Sequence, residues 1–115
     1  MKKTYRDDFF QEIFDKVAKH LLTQNERAVN ASGRCKYRIN GLKCAAGILI
    51  SDSDYLPEME ENIALTLKYF PESGYSKEEI ALIHQLQLLH DGNEPKTWMK
   101  LLKELAVRLG LQFKQ

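Results

Sequence analysis

Asn40-Gly41 is the pair of residues that most constrains how this chain can fold. Both central positions of a two-residue type I′ turn need positive φ, and Asn-Gly accepts that backbone more readily than other pairs. Placing the turn there fixes a register in which Ile39 faces Leu42, Arg38 faces Lys43 and Tyr37 faces Cys44. Side chains alternate along a strand, so Cys35, Tyr37, Ile39, Leu42 and Cys44 share an apolar face. Lys36, Arg38 and Lys43 share the opposite face and, with Arg34, are expected to project outward as a basic surface beside Tyr37. A two-stranded hairpin is marginal on its own in water. Its apolar underside therefore has to lie on the rest of the chain, which reads as helix.

Residues 7–24 repeat Phe10, Ile13, Phe14, Val17, Leu21 and Leu22 at helical spacing, with Asp7 or Asp8 placed to cap the start. Residues 25–34, NERAVNASGR, are polar, contain Gly33 and read as a loop. CAAGILI, residues 44–50, is compatible with strand or helix. Ala45, Ala46 and Gly47 are poor strand formers that let a backbone come close, which favours a short buried helix from about Ala45 to Ser51. Pro57 suits the first turn of a further helix, with Glu58, Glu60 and Glu61 at its positive end. Met59, Ile63, Leu67 and Phe70 form its predicted inner face, and Pro71 and Gly74 end it. Ser76 and Glu79 make a capping box for a helix that runs to about His90, with Ile80, Ile83, Leu86 and Leu89 inward and Asp91-Gly92 as its stop. Pro95 begins the last helix, whose stripe is Trp98, Leu101, Leu102, Leu105, Ala106 and Leu109; Gly110 closes it, and Leu111 and Phe113 are expected to dock the tail. The expected fold is mainly α: one compact domain over residues 1–115, a bundle of about four to five helices with a small β-hairpin at about residues 35–44.

Composition bounds the function. With 43% hydrophobic and 29% charged residues the chain is globular, and a domain of 115 residues folds without help from a disulfide or a metal. The net charge of +1 exerts no overall pull toward nucleic acid or a membrane surface, so any electrostatic function has to be local. No apolar run approaches the ~20 residues of a membrane span. MKKTYRDDFF turns acidic before an apolar core appears, so no secretion signal is expected. Two cysteines without an export signal point to a reducing cytoplasm.

The chemistry-bearing side chains do not converge in the sequence. Cys35 and Cys44 are separated by eight residues, against the two to four usual for a structural zinc pair, and His20, His84 and His90 have no partner spacing. In the hairpin register the two thiols lie diagonally, about 7 Å apart, too far for a disulfide whose Cβ atoms stand near ~3.8 Å. They read as small buried packing. His90-Asp91 offers a base and an orienting group for a Cys nucleophile, but adjacent side chains are expected to point apart, and His90 also suits a helix C-terminus as a cation. The acids Asp52, Asp54, Glu58, Glu60 and Glu61 lack the glycine and final Glu of a calcium loop and read as caps and dipole partners. The last two helices and the turn at Gly92 loosely fit helix-turn-helix. The outward residues Lys96, Thr97, Lys100 and Lys103 include none of the Asn, Gln and Arg side chains that read base edges.

The blocks C-K-Y-R, G-L-K-C-A-A-G-I-L-I and D-Y-L-P-E-M-E, with the opening I-F-D-K-V-A-K-H-L-L-T-Q at residues 13–24, resemble a family of small proteins of tailed bacteriophages and the proteobacteria that host them. The resemblance covers about the first 60 residues. Other members carry a longer turn between the strands than the I-N-G-L found here. The family brings no activity, cofactor or catalytic residue with it; it implies a cytoplasmic phage or prophage accessory protein. The expectation from sequence is a non-enzymatic protein with no cofactor, no metal and no catalytic residues. It binds a macromolecule, a host or phage protein before nucleic acid, through Arg34, Lys36, Arg38 and Lys43. The alternatives are a nucleic-acid-binding regulator using the basic hairpin or the C-terminal helical hairpin, and a small enzyme with Cys35 or Cys44 as nucleophile.

Overall fold

A computed structural model describes residues 6–115, without the side chains of residues 6–8 and 63. The expected Asp7 or Asp8 cap falls outside the described residues. The chain runs α1 (Arg6–Gln24), β1 (Arg38–Ile39), β2 (Leu42–Lys43), a 3-10 turn (Gly47–Leu49), a second 3-10 turn (Pro57–Glu60), α2 (Ile63–Glu72), α3 (Lys77–Gly92) and α4 (Pro95–Leu109). It is a mainly helical globule with one small antiparallel hairpin, as the sequence predicts. No helix among the described residues is long and apolar enough to cross a membrane.

The core forms where the stripes of α1, α3 and α4 meet. Phe14, Val17, Ala18 and Leu21 of α1 are fully buried against Leu82, Ile83, Leu86 and Leu89 of α3 and Trp98, Leu102, Leu105 and Ala106 of α4. Burying each large apolar side chain stabilises the fold by about 1.5–3 kcal/mol, so this three-helix seam dominates. The tail docks as expected. Gln11 and Gln112 exchange two hydrogen bonds of 2.9 Å, and the Phe113 ring stands edge-on to Phe14 at 6.5 Å.

The hairpin has the predicted register, Arg38 with Lys43 and Ile39 with Leu42, around Asn40 at φ 52° and Gly41 at φ 82°. Side chains from the helices seal both of its edges. Gln24 of α1 donates to the Lys43 carbonyl and accepts from the Lys43 amide, and His20 Nε2 donates to the same carbonyl at 2.8 Å. On the other edge the Glu60 carboxylate accepts the amides of Tyr37 and Arg38, each at 3.0 Å, and the Tyr55 hydroxyl at 2.7 Å. The outer edges are thus capped by specific acceptors and donors, a stronger protection than edge charge alone.

Four expectations are corrected. Cys35 does not lie beneath the hairpin; the paired strands begin at Arg38, and Cys35 instead bridges Val29 and is exposed. That bridge belongs to an ordered turn in which Asn30 Oδ1 accepts from the amides of Ser32 and Arg34 and from the Ser32 hydroxyl. Arg38 does not project. Its guanidinium donates to the Ile50 carbonyl at 2.6 Å, pairs with Asp52 at 2.8 Å and lies 4.6 Å over the Tyr55 ring.

The single helix expected from Pro57 is two elements. The Asn62 side chain accepts the Ala64 amide and starts α2 afresh. Met59 and Phe70 are buried as expected, but Thr66 faces inward in place of Leu67, which is 66% exposed. Finally, Asp52 and Asp54 do not cap helices. Asp52 pairs with Arg38 and Lys43, which hold its carboxyl below the usual range, and Asp54 accepts the Tyr69 hydroxyl.

Candidate functional site: a cleft between α2, α3 and the hairpin

Residues of the hairpin region, the second 3-10 turn, α2 and α3 stand around an open gap. The result is a cleft of about 520 Å³. Met59, Phe70, Ile80 and Ile83 line its apolar walls, and Leu67 and Leu88, 66% and 55% exposed, stand at its rim. Cys35, Cys44, Gln87 and Asp91 lie at the hairpin end. The cleft therefore gathers the residues that the sequence keeps apart.

At that end His90 and Asp91 do converge, although they are adjacent in sequence. His90 Nδ1 stands 2.7 Å from Asp91 Oδ1. The ring is completely buried and stacks on Trp98 at a centroid distance of 5.4 Å and an interplanar angle of 26°. Its other nitrogen, Nε2, accepts the Ala28 amide at 3.1 Å. A backbone N–H can only donate, so Nε2 carries the lone pair and the ring proton is on Nδ1. His90 is thus a neutral imidazole that donates to Asp91, not the helix-end cation that the sequence suggests.

Asp91 also accepts Gln87 Nε2 at 2.7 Å, while Gln87 Oε1 accepts the Ala46 amide at 2.8 Å. Burial on its own pushes the Asp91 carboxyl up; hydrogen bonds from His90 and Gln87, with the nearby Cys35 thiol, outweigh it and hold the group below the ordinary carboxylate range. This relay ties three segments together: the loop after α1, the corner after β2 and the end of α3.

Cys35, His90 and Asp91 each bring one donor atom within 4.8 Å of the others. The ring chemistry opposes a metal. Coordination through Nδ1 requires its proton to leave, and a neutral ring must then carry a proton on Nε2, facing the Ala28 N–H as one donor against another. The same arrangement withholds a base from a thiol nucleophile, because the one lone pair on the ring is occupied by Ala28. Burial and the Asp91 carboxylate push the Cys35 thiol up to about 11. Burial pushes Cys44 up to about 12, and its sulfur accepts the Gly47 amide.

A labelling experiment checks this. Relative to an ordinary thiol near 9.0, Cys35 holds far less thiolate at pH 8, and the greater nucleophilicity of a more basic thiolate offsets part of that loss. Cys35 should react with iodoacetamide about tenfold more slowly than an exposed peptide thiol, and Asp91→Asn should speed it several-fold. Labelling at or above the peptide rate would restore Cys35 as a candidate nucleophile.

The four basic residues divide. Arg34 is exposed and Lys36 lines the cleft, and neither forms an ion pair among the described residues. Arg38 and Lys43 are both turned to Asp52, at 2.8 and 3.4 Å. On α4, Lys96 pairs with Glu94 at 3.6 Å and Lys103 sits 5.6 Å above the Phe113 ring. Sequence reasoning missed Thr66, Leu67, Gln87 and Leu88 as lining residues. The available signal was Leu88, an apolar residue off the inward stripe of α3.

No family model matches this chain, and no curated protein or solved structure is significantly similar to it.

Proposed function

We propose that this chain is a non-enzymatic binding module for another protein, and that the cleft between α2 and α3 is its contact surface. The observation that carries this reading is the pair Leu67 and Leu88. Two large apolar side chains, one on α2 and one on α3, line one apolar-walled cleft and stand exposed. Scattered surface leucines are ordinary, but leucines that flank a lined groove suit an amphipathic segment laid into it. Charge supports a partner of opposite sign: Glu60, Glu61 and Asp91 line the cleft, against Lys36 alone among the lysines and arginines. The favoured occupant is an apolar segment bearing basic residues. The resemblance to phage and prophage proteins supplies a context, an accessory protein acting in the cytoplasm on a host or phage protein. Of the expected basic surface, Arg38 and Lys43 are engaged with Asp52, which favours the cleft over the basic face as the contact surface.

Selection of random peptides displayed on their own messenger RNA tests the reading. Enriched peptides should combine apolar residues with Lys or Arg, and should lose at least tenfold in affinity for the double variant Leu67→Asp, Leu88→Asp. Both sites are exposed, so its melting temperature should stay within a few degrees of the parent. Absence of enrichment, or peptides indifferent to the double variant, would remove the cleft as a contact surface.

A further inference from the structure

The floor of the cleft contains a polar group with nothing to bind. Thr66 is only 6% exposed, lines the cleft, and its hydroxyl has no hydrogen-bond partner among the described residues. Burial pushes the neighbouring Tyr37 phenol up, and Thr66 stands close enough to offset part of that without meeting hydrogen-bond geometry. An unpaired buried hydroxyl is destabilising, a cost a fold avoids by substituting valine unless something fills the site. In the same cleft lies Asp91, a carboxylate held by donors on its protein side, where His90 and Gln87 both give to Oδ1. The lining around them includes the apolar side chains of Phe70 and Ile83 and the ring of Tyr37. An acceptor hydroxyl, an anionic carboxylate and apolar walls in one cleft describe a receptor for a cation on a hydrocarbon stem.

Building on the peptide-binding reading, we infer that the cleft holds one basic side chain of the partner, an alkylguanidinium or alkylammonium group directed at Asp91 and Thr66, with its stem packed between Phe70 and the rim leucines. This is the anchor of the bound segment. The chemistry is the pairing of a half-buried carboxylate with a charged donor, stronger than a neutral hydrogen bond and strengthened further by partial removal from water. A segment with the apolar contacts alone would fill the groove but leave Thr66 unpaired. Lys36 at the cleft opposes a cation; the carboxylates of Glu60, Glu61 and Asp91 outnumber it.

Small probes separate the anchor from the groove. n-Butylguanidinium and its neutral near-isostere n-butylurea would each be titrated into the full chain while backbone amide shifts are followed by NMR. The guanidinium should move the amides of Thr66, Leu67, Gln87 and Asp91, bind at least fivefold more tightly than the urea, and lose that advantage in Asp91→Asn. Because Asp91 also holds the relay together, Thr66→Val is the second variant. It should fold at least as stably as the parent, since it removes an unpaired hydroxyl, and should weaken the guanidinium several-fold while leaving the urea unchanged. Equal binding of the two probes at the cleft would overturn the basic anchor while leaving the apolar groove standing. Shifts from neither probe, or shifts elsewhere, would overturn the anchor as well; the groove would then rest on the peptide selection alone. An anchor insensitive to Thr66→Val would also be overturned, because the unpaired hydroxyl is the feature that points to it.

Discussion

Gly47→Ala should destabilise the chain by about 3 kcal/mol or more, an outsized effect for adding one methyl group. A Cβ at Gly47 would run into the Tyr37 carbonyl oxygen and come within 3.0 Å of the Tyr37 carbonyl carbon and 3.3 Å of its Cα. All three atoms are backbone, so no side-chain rotation relieves the contact; the hairpin or the 3-10 turn has to move. The Tyr37 carbonyl also accepts the Cys44 amide at 3.2 Å, so any shift weakens the bond that closes the base of the hairpin. The loss is a large share of the roughly 5–15 kcal/mol that a domain of this size holds. Urea titration should show a lower midpoint with an unchanged slope. Amide exchange should accelerate first at Ile39, Leu42 and Cys44. Gly92→Ala is the control. A Cβ there meets nothing, and the residue lies within α3, so that change should be neutral or stabilise by up to about 1 kcal/mol. If Gly47→Ala costs no more than this control, the close approach of the two backbones is not a constraint on the fold.

This contact also shows what the sequence could and could not convey. The run Ala45-Ala46-Gly47 announces that something comes close, because small residues in a buried corner serve that purpose. It does not say what comes close. The partner is Tyr37, and that assignment needed the hairpin register, which Asn40-Gly41 does supply. Turn chemistry and capping are local, so the type I′ turn and the Ser76–Glu79 capping box were both legible. The stripes of α1 and α4 were legible because each lies within one unbroken helix, except at the α4 end, where Leu109 is 40% exposed.

The rest depended on contacts between distant residues. Alternation put Arg38 on the outer face, but the Ile50 carbonyl, Asp52 and the Tyr55 ring turn its guanidinium back onto the domain. Alternation also carried Cys35 beneath the hairpin, because nothing in C-K-Y-R marks that the strand begins only at Arg38. The cleft was illegible for a related reason. Thr66 and Leu67 both keep helical spacing to Ile63 and Phe70, and an apolar pattern picks Leu67 as the inward residue, whereas Thr66 is the one buried and Leu67 stands exposed at the cleft.

The relay at the end of α3 yields the other large effect, and it depends on a residue far away in the chain. His90→Ala should cost about 3–5 kcal/mol, as much as truncating a large core side chain, although histidine is polar. The ring is fully buried against Trp98, so its removal leaves a cavity. The Ala28 amide, also buried, loses its acceptor, and Asp91 loses a donor. His90→Phe separates the two contributions. It keeps the bulk and the stacking on Trp98 but makes neither hydrogen bond, and should cost about 2–3 kcal/mol for the unpaired amide and the weakened carboxylate. In both variants the Ala28 amide should lose protection against hydrogen exchange, while the amides at the centre of α4 remain protected up to global unfolding. A loss below about 1 kcal/mol in His90→Phe, with Ala28 still protected, would mean that Nε2 does not accept that amide. The ring would then be free to place a lone pair on either nitrogen, and Cys35, His90 and Asp91 would again qualify as a cation site or a catalytic set. The neutral, fully committed imidazole is what makes this cluster a support for the cleft, so the binding reading and the stability of these two variants stand on the same nitrogen.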